Sequence, residues 1–322
     1  MSLIDALQNA GLIDLPADAT RPVADFGDPV KEYQAASTST AIIPEHEFGI
    51  ITVTGADRAK FLHNFCTQDI KGMQPGDCRE AFFCNVKGRI LAVAVILCDE
   101  DCLYVLTDED RVEFLRQHLD KYLIMEDVTL SVEDSTEALL VVGKSSVEGA
   151  NSFTWDNGFR PAVWVIGEGE ELVDCVKKMV EESSVIAGHT TWEIVRLSIP
   201  FPKYGVDVSD DNLAQEANRT ERAISFTKGC YLGQEPIARL DAMGHVNRQL
   251  EQFAWSDDSG KPPIVGKPVL NEAGEEVGTV TSACQIPDED RGFVLAMVKI
   301  KELGGILTAE NSDDQPVRLQ TE

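Results

Sequence analysis

Two consecutive blocks of this sequence share one plan, in which β-rich runs are followed by an amphipathic helix. The first block has such runs at Cys78–Val86 and Arg89–Cys98, which meet at a Lys-Gly break typical of a hairpin. Thr107 is the predicted N-cap of its helix, whose apolar positions are Val112, Leu115, Leu119 and Leu123. Runs joined by a short turn favour antiparallel pairing, so this block predicts one α+β half.

The second block repeats the plan. Its predicted strands lie near Val128–Val132, Ala138–Val142 and Ala162–Ile166, and its predicted helix covers Glu170–Glu182. A further helix near Trp192–Ile199 is followed by an irregular segment, rich in Asp and Asn, that reaches about Arg222. Segments of that length in a folded protein are often functional.

The two ends of the chain have different patterns. At the N-terminus, Ser2 and Asp28-Pro29 each begin a short predicted helix, and a strand at Gly49–Thr54 leads into a helix at Asp57–Phe65. After Gly244 come short predicted strands with frequent Gly and Pro: Arg248–Trp255, Pro268–Asn271, Glu276–Ser282, Gly292–Val298 and one near Val317–Leu319. Their spacing predicts a small β-barrel.

These patterns predict three domains in an α+β protein. They are an N-terminal α+β domain at residues 1–134, with a helical arm over about residues 1–45, a second α+β domain at residues 135–245, and a C-terminal barrel at residues 246–322. The length of 322 residues agrees with more than one domain, since a domain takes roughly 150 residues.

Charge and cysteine content restrict the partners and the compartment. The net charge of -27 disfavours direct contact with nucleic acid or with an anionic membrane surface. Met1–Leu15 has no signal-peptide or transit-peptide pattern, and no run reaches the ~20 apolar residues of a membrane helix. Eight scattered cysteines indicate reduced thiols. We expect a cytoplasmic protein.

The segment Lys228–Glu235 has the strongest chemical character. Its two glycines predict unusual backbone angles or close approach of another group. Cys230 precedes a helical stretch at Pro236–Met243 and lies two residues from Lys228, a setting that favours a reactive thiolate. The alternative from the residues alone is a small cysteine buried in a packed turn.

Other kinds of site find no support in the sequence. No Cys-x-x-Cys pair, His-x-x-x-His pair or EF-hand spacing occurs, so no metal site is predicted. No Gly-x-Ser-x-Gly motif occurs, and Gly143-Lys144-Ser145 lacks the upstream glycine of a phosphate loop.

Four stretches together carry a family resemblance. They are Lys228–Glu235 with Ala238-Arg239 and Gly244, Val53–Gly55 with Thr67-Gln68-Asp69, the hairpin Asn85–Ile90, and Gly278–Ser282. By their residues and by their order along the chain, these stretches resemble the YgfZ type of tetrahydrofolate-binding protein, a relative of the glycine-cleavage T-protein. The resemblance runs from about residue 45 to the C-terminus.

The resemblance implies a fold, a cofactor and a role. The two α+β domains and the barrel would form a ring around a central channel that holds tetrahydrofolate or a one-carbon derivative. The role would be in the assembly or repair of iron-sulfur clusters, including those of tRNA-modifying enzymes, with iron-sulfur proteins or their assembly factors as partners. Cys230 and Lys228 are the residues predicted to carry the chemistry. The predicted folate contacts are Asp69, Lys87, Arg89, Arg196, Ser198, Tyr231, Gln234, Glu235 and Arg239.

Departures from the T-protein pattern favour an accessory role. T-proteins carry an aspartate pair after the hairpin glycine, whereas Gly88 is followed here by Arg-Ile-Leu-Ala-Val. A carboxylate can relay a proton beside a developing cationic amine, and alanine or valine cannot. The T-protein glutamate that binds the pterin is Ser198 here, and the arginine of its signature is Gln234. The alternatives are a tetrahydrofolate-dependent aminomethyltransferase or one-carbon transferase and a non-catalytic interaction scaffold, and the sequence does not decide whether the protein is an enzyme.

Overall fold

The computed structural model describes residues 2–16, 19–44, 46–133, 135–257 and 259–321. Its helices are α1 (Leu3–Asn9), α2 (Pro29–Thr38), α3 (Arg58–Phe65), α4 (Glu109–Asp120), α5 (Gly169–Glu181), α6 (His189–Ser198), α7 (Thr220–Ala223) and α8 (Gln234–Met243). Short 3₁₀ helices lie at Ala214–Ala217 and Ile300–Glu302. No helix in these ranges combines the length and the apolar character that a bilayer crossing requires.

The strands alternate with these helices in both halves and dominate the C-terminal part. They are β1 (Ala41–Ile43), β2 (Phe48–Thr54), β3 (Cys78–Cys84), β4 (Ile90–Cys98), β5 (Leu103–Asp108), β6 (Thr129–Ser131), β7 (Thr136–Val142), β8 (Asn151–Trp155), β9 (Ala162–Glu168), β10 (Val185–Ile186), β11 (Arg248–Ser256), β12 (Pro268–Asn271), β13 (Glu276–Gln285), β14 (Arg291–Lys299), β15 (Leu307–Glu310) and β16 (Pro316–Gln320). The predicted α+β class with antiparallel sheets is confirmed.

The chain divides into two compact units. The first consists of Met1–Ala81 with Ala94–Trp192, and the second of Phe82–Val93 with Glu193–Glu322. The tip of the β3–β4 hairpin therefore belongs to the second unit, together with the signature segment and the barrel.

The first sheet has the strand order β3-β4-β5-β2-β6. The sequence prediction assigned β6 to the second block, but Leu130 of β6 pairs with Val53 of β2. The predicted cap Thr107 is also wrong by one residue: it is fully buried in β5 opposite Ala94, and α4 begins after Asp108. Because Thr107 pairs with Ala94 as part of β5, the N-cap of α4 is the next residue, Asp108.

The second sheet has the order β10-β1-β7-β9-β8. It includes three strands that were not predicted, β1, β8 and β10. At three and two residues, β1 and β10 are too short to show an alternating pattern. The N-terminal arm, assigned from sequence to the first domain, packs here instead. Leu3, Ile4 and Leu7 of α1 share a core with residues of β7, β9 and α5.

The predicted C-terminal barrel is confirmed. Six strands close in the order β11-β14-β13-β12-β15-β16, and the pairing of Trp255 with Leu319 completes the circle between β11 and β16. Its apolar core includes Trp255, Val280 and Val317. β15, which was not predicted, joins β12 to β16.

Candidate functional site

The turn of the β3–β4 hairpin is held by Asn85. Its side-chain Oδ1 accepts hydrogen bonds from the backbone N of Lys87 at 2.8 Å and of Arg89 at 3.2 Å. The backbone of Asn85 also pairs with Arg89 and Gly88, and Gly88 has a left-handed φ of 71°. An asparagine side chain that bonds its own turn in this way stabilises it. The predicted contact residue Lys87 is exposed at the tip.

The signature segment packs directly against this turn. Gly233 has a φ of 84° and caps α8, and a Cβ atom at Gly233 would lie 2.5 Å from the carbonyl oxygen of Asn85. A Cβ at Gly88 would in turn meet Pro236 at 3.1 Å and Ile237 at 3.2 Å. The close approach predicted from the two glycines is confirmed at Gly233, and it joins the signature to the hairpin within the second unit.

Cys230 is the one cysteine with an exposed side chain. All eight cysteines are free thiols, and the other seven are buried or half-buried. This exposure differs from the alternative of a cysteine buried in a packed turn. The helix begins two residues earlier than predicted, at Gln234, so Cys230 lies three residues before the Gly233 cap.

Lys228 and Tyr231 form a cation–π pair next to Cys230. Both side chains are buried, and Nζ of Lys228 lies 4.7 Å from the centre of the Tyr231 ring. Such a contact stabilises a cation that has lost water. The ring thus holds a positive charge two residues from the exposed thiol, while the tuning of Cys230 by Lys228 stays a prediction.

Gln234, Glu235 and Arg239 lie on α8. The backbone N of Gln234 donates to the carbonyl oxygen of Tyr231 at 3.2 Å, which closes the turn before the helix. Glu235 and Arg239 are exposed and are four residues apart, so they share one helix face.

The irregular segment after α6 supports the hairpin from its other edge. The backbone N of Ile90 donates to the carbonyl oxygen of Asn212 at 3.0 Å, and that of Ala214 donates to Gly88 at 3.2 Å. Nη1 of the predicted contact Arg89 donates to the carbonyl oxygen of Asp211. The hairpin turn, this segment and α8 therefore form one connected site in the second unit.

Gln215, on the 3₁₀ helix at Ala214–Ala217, is a site residue that the sequence analysis missed. Its Nε2 donates to the carbonyl oxygen of Ile237 at 2.7 Å. Its Oε1 is buried and has no hydrogen-bond partner among the described residues. The irregular, Asn- and Asp-rich character of the segment was the only sequence signal, and it does not single out one residue.

The hairpin turn and the signature segment carry a local positive charge, whereas the irregular segment beside them is acidic. Residues 85–89 and 228–239 contain Lys87, Arg89, Lys228 and Arg239 against one acidic residue, Glu235, a net charge of +3. Residues 207–217 contain Asp207, Asp210, Asp211 and Glu216 and no basic residue. A local positive patch on an acidic protein attracts an anionic ligand and does so less at high salt.

The predicted folate contact Arg196 is extensively hydrogen-bonded to protein groups. It is buried, and all five of its N–H donors have protein acceptors: two carboxylate oxygens of Glu193, Oδ2 of Asp207, the carbonyl oxygen of Phe201 and Oγ of Ser282. Burial lowers the pKa of this guanidinium, but the two carboxylates outweigh that effect and the net shift is upward. Arg196 therefore ties α6 to the barrel.

Asp207 is the second missed residue. Its buried carboxylate accepts hydrogen bonds from Arg196, from Thr281 at 2.6 Å and from Ser282 at 2.7 Å. The predicted contact Ser198 lies on the same helix as Arg196, and its hydroxyl donates to the carbonyl oxygen of Val195 at 2.7 Å. A hydroxyl engaged in that way still has lone pairs to accept one donor.

Asp69, the remaining predicted contact, lies in the first unit. Its Oδ1 is 3.1 Å from Nδ1 of His63 and 3.3 Å from the backbone N of Gly72. Nη1 of Arg79 donates to the backbone carbonyl oxygen of Asp69 at 2.5 Å. These bonds hold the carboxylate in place, and its contact with folate stays a prediction.

The strand after Gly88 has no acidic side chain. Ile90, Ala92 and Val93 of β4 are all buried and aliphatic. A carboxylate at these positions would have to be desolvated without a partner.

Comparison with known proteins gives consistent matches over most of the chain. The GCVT N-terminal domain family model matches residues 23–161. A tRNA-modifying protein YgfZ from Colwellia psychrerythraea is 24% identical, covering 68% of this chain and 75% of its own length. The same-named protein from Aliivibrio fischeri is 22% identical, covering 85% of this chain and 87% of its own length.

A solved structure has the same fold. The glycine cleavage system aminomethyltransferase T from Bartonella henselae superposes with a TM-score of 0.78 over 100% of this chain and 96% of its own length, at 15% identity. At that identity the likeness concerns the fold alone.

Proposed function

Because this chain belongs to the YgfZ/GcvT family, we propose that it binds a reduced folate and acts as an accessory protein in the assembly or repair of iron-sulfur clusters. The clusters of tRNA-modifying enzymes are the proposed clients, since relatives along most of the chain are named tRNA-modifying proteins. The observation that carries the proposal is the exposed Cys230, presented on a turn that the hairpin holds against α8.

The residues of the second unit fit a reduced folate. A reduced folate has a pterin with hydrogen-bond donors at one end and glutamate carboxylates at the other. The exposed cations Lys87 and Arg239 suit the carboxylates, and the positive charge of the hairpin turn and the signature segment is opposite to that of the ligand. A bound reduced folate would supply a carrier for one-carbon groups.

Cys230 is the proposed contact with the cluster-bearing partner. A thiolate is the side chain that iron in such clusters prefers, and exposure lets it reach a group on another protein. All eight cysteines are free, which agrees with the reducing cytoplasm as the proposed compartment.

Aminomethyl transfer is the alternative chemistry, and the absence of an acidic side chain in β4 disfavours it. Ile90, Ala92 and Val93 of β4 are buried aliphatic residues with no group that can hold a proton. We therefore expect no release of ammonia and no formation of methylenetetrahydrofolate from an aminomethylated carrier protein when tetrahydrofolate is present. Release well above that of a protein-free control would support the transferase.

Folate binding is tested by calorimetry and by thermal shift with tetrahydrofolate. We expect a measurable heat, weaker binding in Lys87→Glu, and unchanged binding in Lys261→Glu, which reverses an exposed charge paired with Asp313 on the barrel. No heat and no thermal shift at millimolar tetrahydrofolate would refute folate binding.

The role of Cys230 is tested in cells that lack the native gene. Cys230→Ala should fail to restore tRNA thiomethylation or another cluster-dependent activity, whereas Cys175→Ala, a half-buried cysteine on α5, should restore it. Full rescue by Cys230→Ala would leave the cysteine with no role in the activity.

A further inference from the structure

The buried side-chain oxygen of Gln215 lacks a hydrogen-bond partner among the described residues, in a site that is otherwise well connected. We infer that this oxygen accepts a hydrogen bond from the amino-pyrimidine edge of the pterin, so that Gln215 positions the folate and selects for its 2-amino group. The inference rests on the proposed function, because it names a contact within the proposed folate site.

Gln215 lies between the two elements that build the site. The preceding residue, Ala214, donates its backbone N to Gly88 in the hairpin turn, and Nε2 of Gln215 donates to Ile237 on α8. The side chain of Ile237 in turn approaches Gly88. The residue as a whole is half-buried, and its Oε1 is buried.

The orientation of the amide is determined by its nitrogen. If the amide were flipped, Oε1 would face the carbonyl oxygen of Ile237 at 2.7 Å, and two acceptors at that distance repel each other. The oxygen must therefore point away from Ile237, where no described residue offers a donor.

A buried acceptor without a donor is costly. The great majority of buried polar groups have a protein or water partner, and a missing partner marks a place where a ligand or an ordered water belongs. Four buried side-chain atoms lack a partner among the described residues, and the other three, on Asn157, Trp164 and Thr191, lie in the first unit. Two of these are N–H donors and the third is a hydroxyl, so Gln215 provides the only pure acceptor.

The pterin end of a folate suits this acceptor better than the glutamate end does, because of the charge and the hydrogen-bond donors at each end. The glutamate end carries carboxylates, which are acceptors themselves and would be repelled by a carbonyl oxygen. The pterin carries two adjacent donors, the 2-amino group and the ring N3–H. A neutral carbonyl oxygen that is already desolvated binds such a donor without a further desolvation cost on the protein side.

The test compares tetrahydrofolate with an analogue that lacks the 2-amino group, by calorimetry on the whole protein. We expect unmodified protein to bind the analogue about tenfold more weakly, the effect of one lost hydrogen bond to a desolvated acceptor. Gln215→Met should weaken tetrahydrofolate binding by about the same factor and should leave the binding of the analogue unchanged.

One further variant separates recognition from packing. Gln252→Met removes another half-buried amide that donates to a backbone carbonyl, that of Ser198 at 3.4 Å, and should bind both ligands as the unmodified protein does. Thermal unfolding without ligand shows whether each variant is folded.

The possible results are distinct. Equal binding of the two ligands by unmodified protein, or an equal loss for both ligands in Gln215→Met, would overturn the inference and leave folate binding intact. Absence of any folate binding by unmodified protein would instead remove the proposed function, and the inference with it.

Discussion

Gly233 and Asn85 are in such close contact that no side chain fits between them. A Cβ atom on Gly233 would lie 2.5 Å from the carbonyl oxygen of Asn85, and the φ of Gly233 is 84°. Both the space and the backbone angle exclude other residues at this position. The contact is the mechanical link between the signature segment and the hairpin turn.

Gly233→Ala should therefore destabilise the protein by about 2 kcal/mol or more, because a strained backbone angle adds to a clash with backbone atoms. Urea unfolding measures the change. Gly169→Ala is the matched control, since Gly169 has open space around it at the start of α5. Equal stability of Gly233→Ala and the unmodified protein would show that the turn relaxes away from Asn85.

Arg196→Met should cost about 3–5 kcal/mol of unfolding free energy. The substitution leaves the carboxylate of Asp207, whose side chain is fully buried, without its cation. Arg196→Met combined with Asp207→Asn should recover part of the loss, because the unpaired charge is removed. By contrast, Lys261→Met breaks the exposed pair with Asp313 and should change stability little. A small effect of Arg196→Met would contradict the assigned role.

His46 should make stability fall as the pH is lowered. Its ring is buried, its Nδ1 accepts from the backbone N of Phe48, and its other nitrogen lies 3.1 Å from the carbonyl oxygen of Ala138. Burial lowers the pKa of His46 from 6.5 to about 4, so the unfolded chain takes up a proton that the folded protein does not.

The resulting loss begins near pH 6.5 and is complete near pH 4, and its size is about 3 kcal/mol. Above pH 6.5 the contribution is fully present. Urea unfolding of unmodified protein and of His46→Gln at several pH values should therefore show a stability difference that shrinks by about this amount as the pH falls. A difference that is constant with pH would mean that His46 is not the group responsible.

Cys230 should be the fastest thiol to react in the native protein. It is the exposed cysteine, whereas burial raises the pKa of five others: Cys78, Cys98, Cys102, Cys175 and Cys284. Brief treatment with iodoacetamide followed by mass spectrometry should find one modified site, and Cys230→Ala should abolish it. Several thiols modified at similar rates would contradict the differences in burial.

The sequence was sufficient where the signal is local. The cap at Ser2, the start of α2 at Pro29, the helix after the signature and five of the six strands of the barrel follow from neighbouring residues and were predicted within a few positions. The errors concern pairing over long distances. β6 joins the first sheet and α1 joins the second core, because strand pairing and burial depend on partners far along the chain.

The same distinction applies to the site. The signature segment, its two glycines, the cysteine and the missing acidic pair could be recognised from the sequence, because these are properties of adjacent residues. Four features became visible only in the folded chain: Cys230 is exposed, Gly233 touches Asn85, Arg196 is fully engaged with protein groups, and Gln215 has an oxygen without a donor among the described residues. Exposure, close contact and hydrogen-bond saturation depend on which distant segments meet, and a local residue pattern does not contain that information.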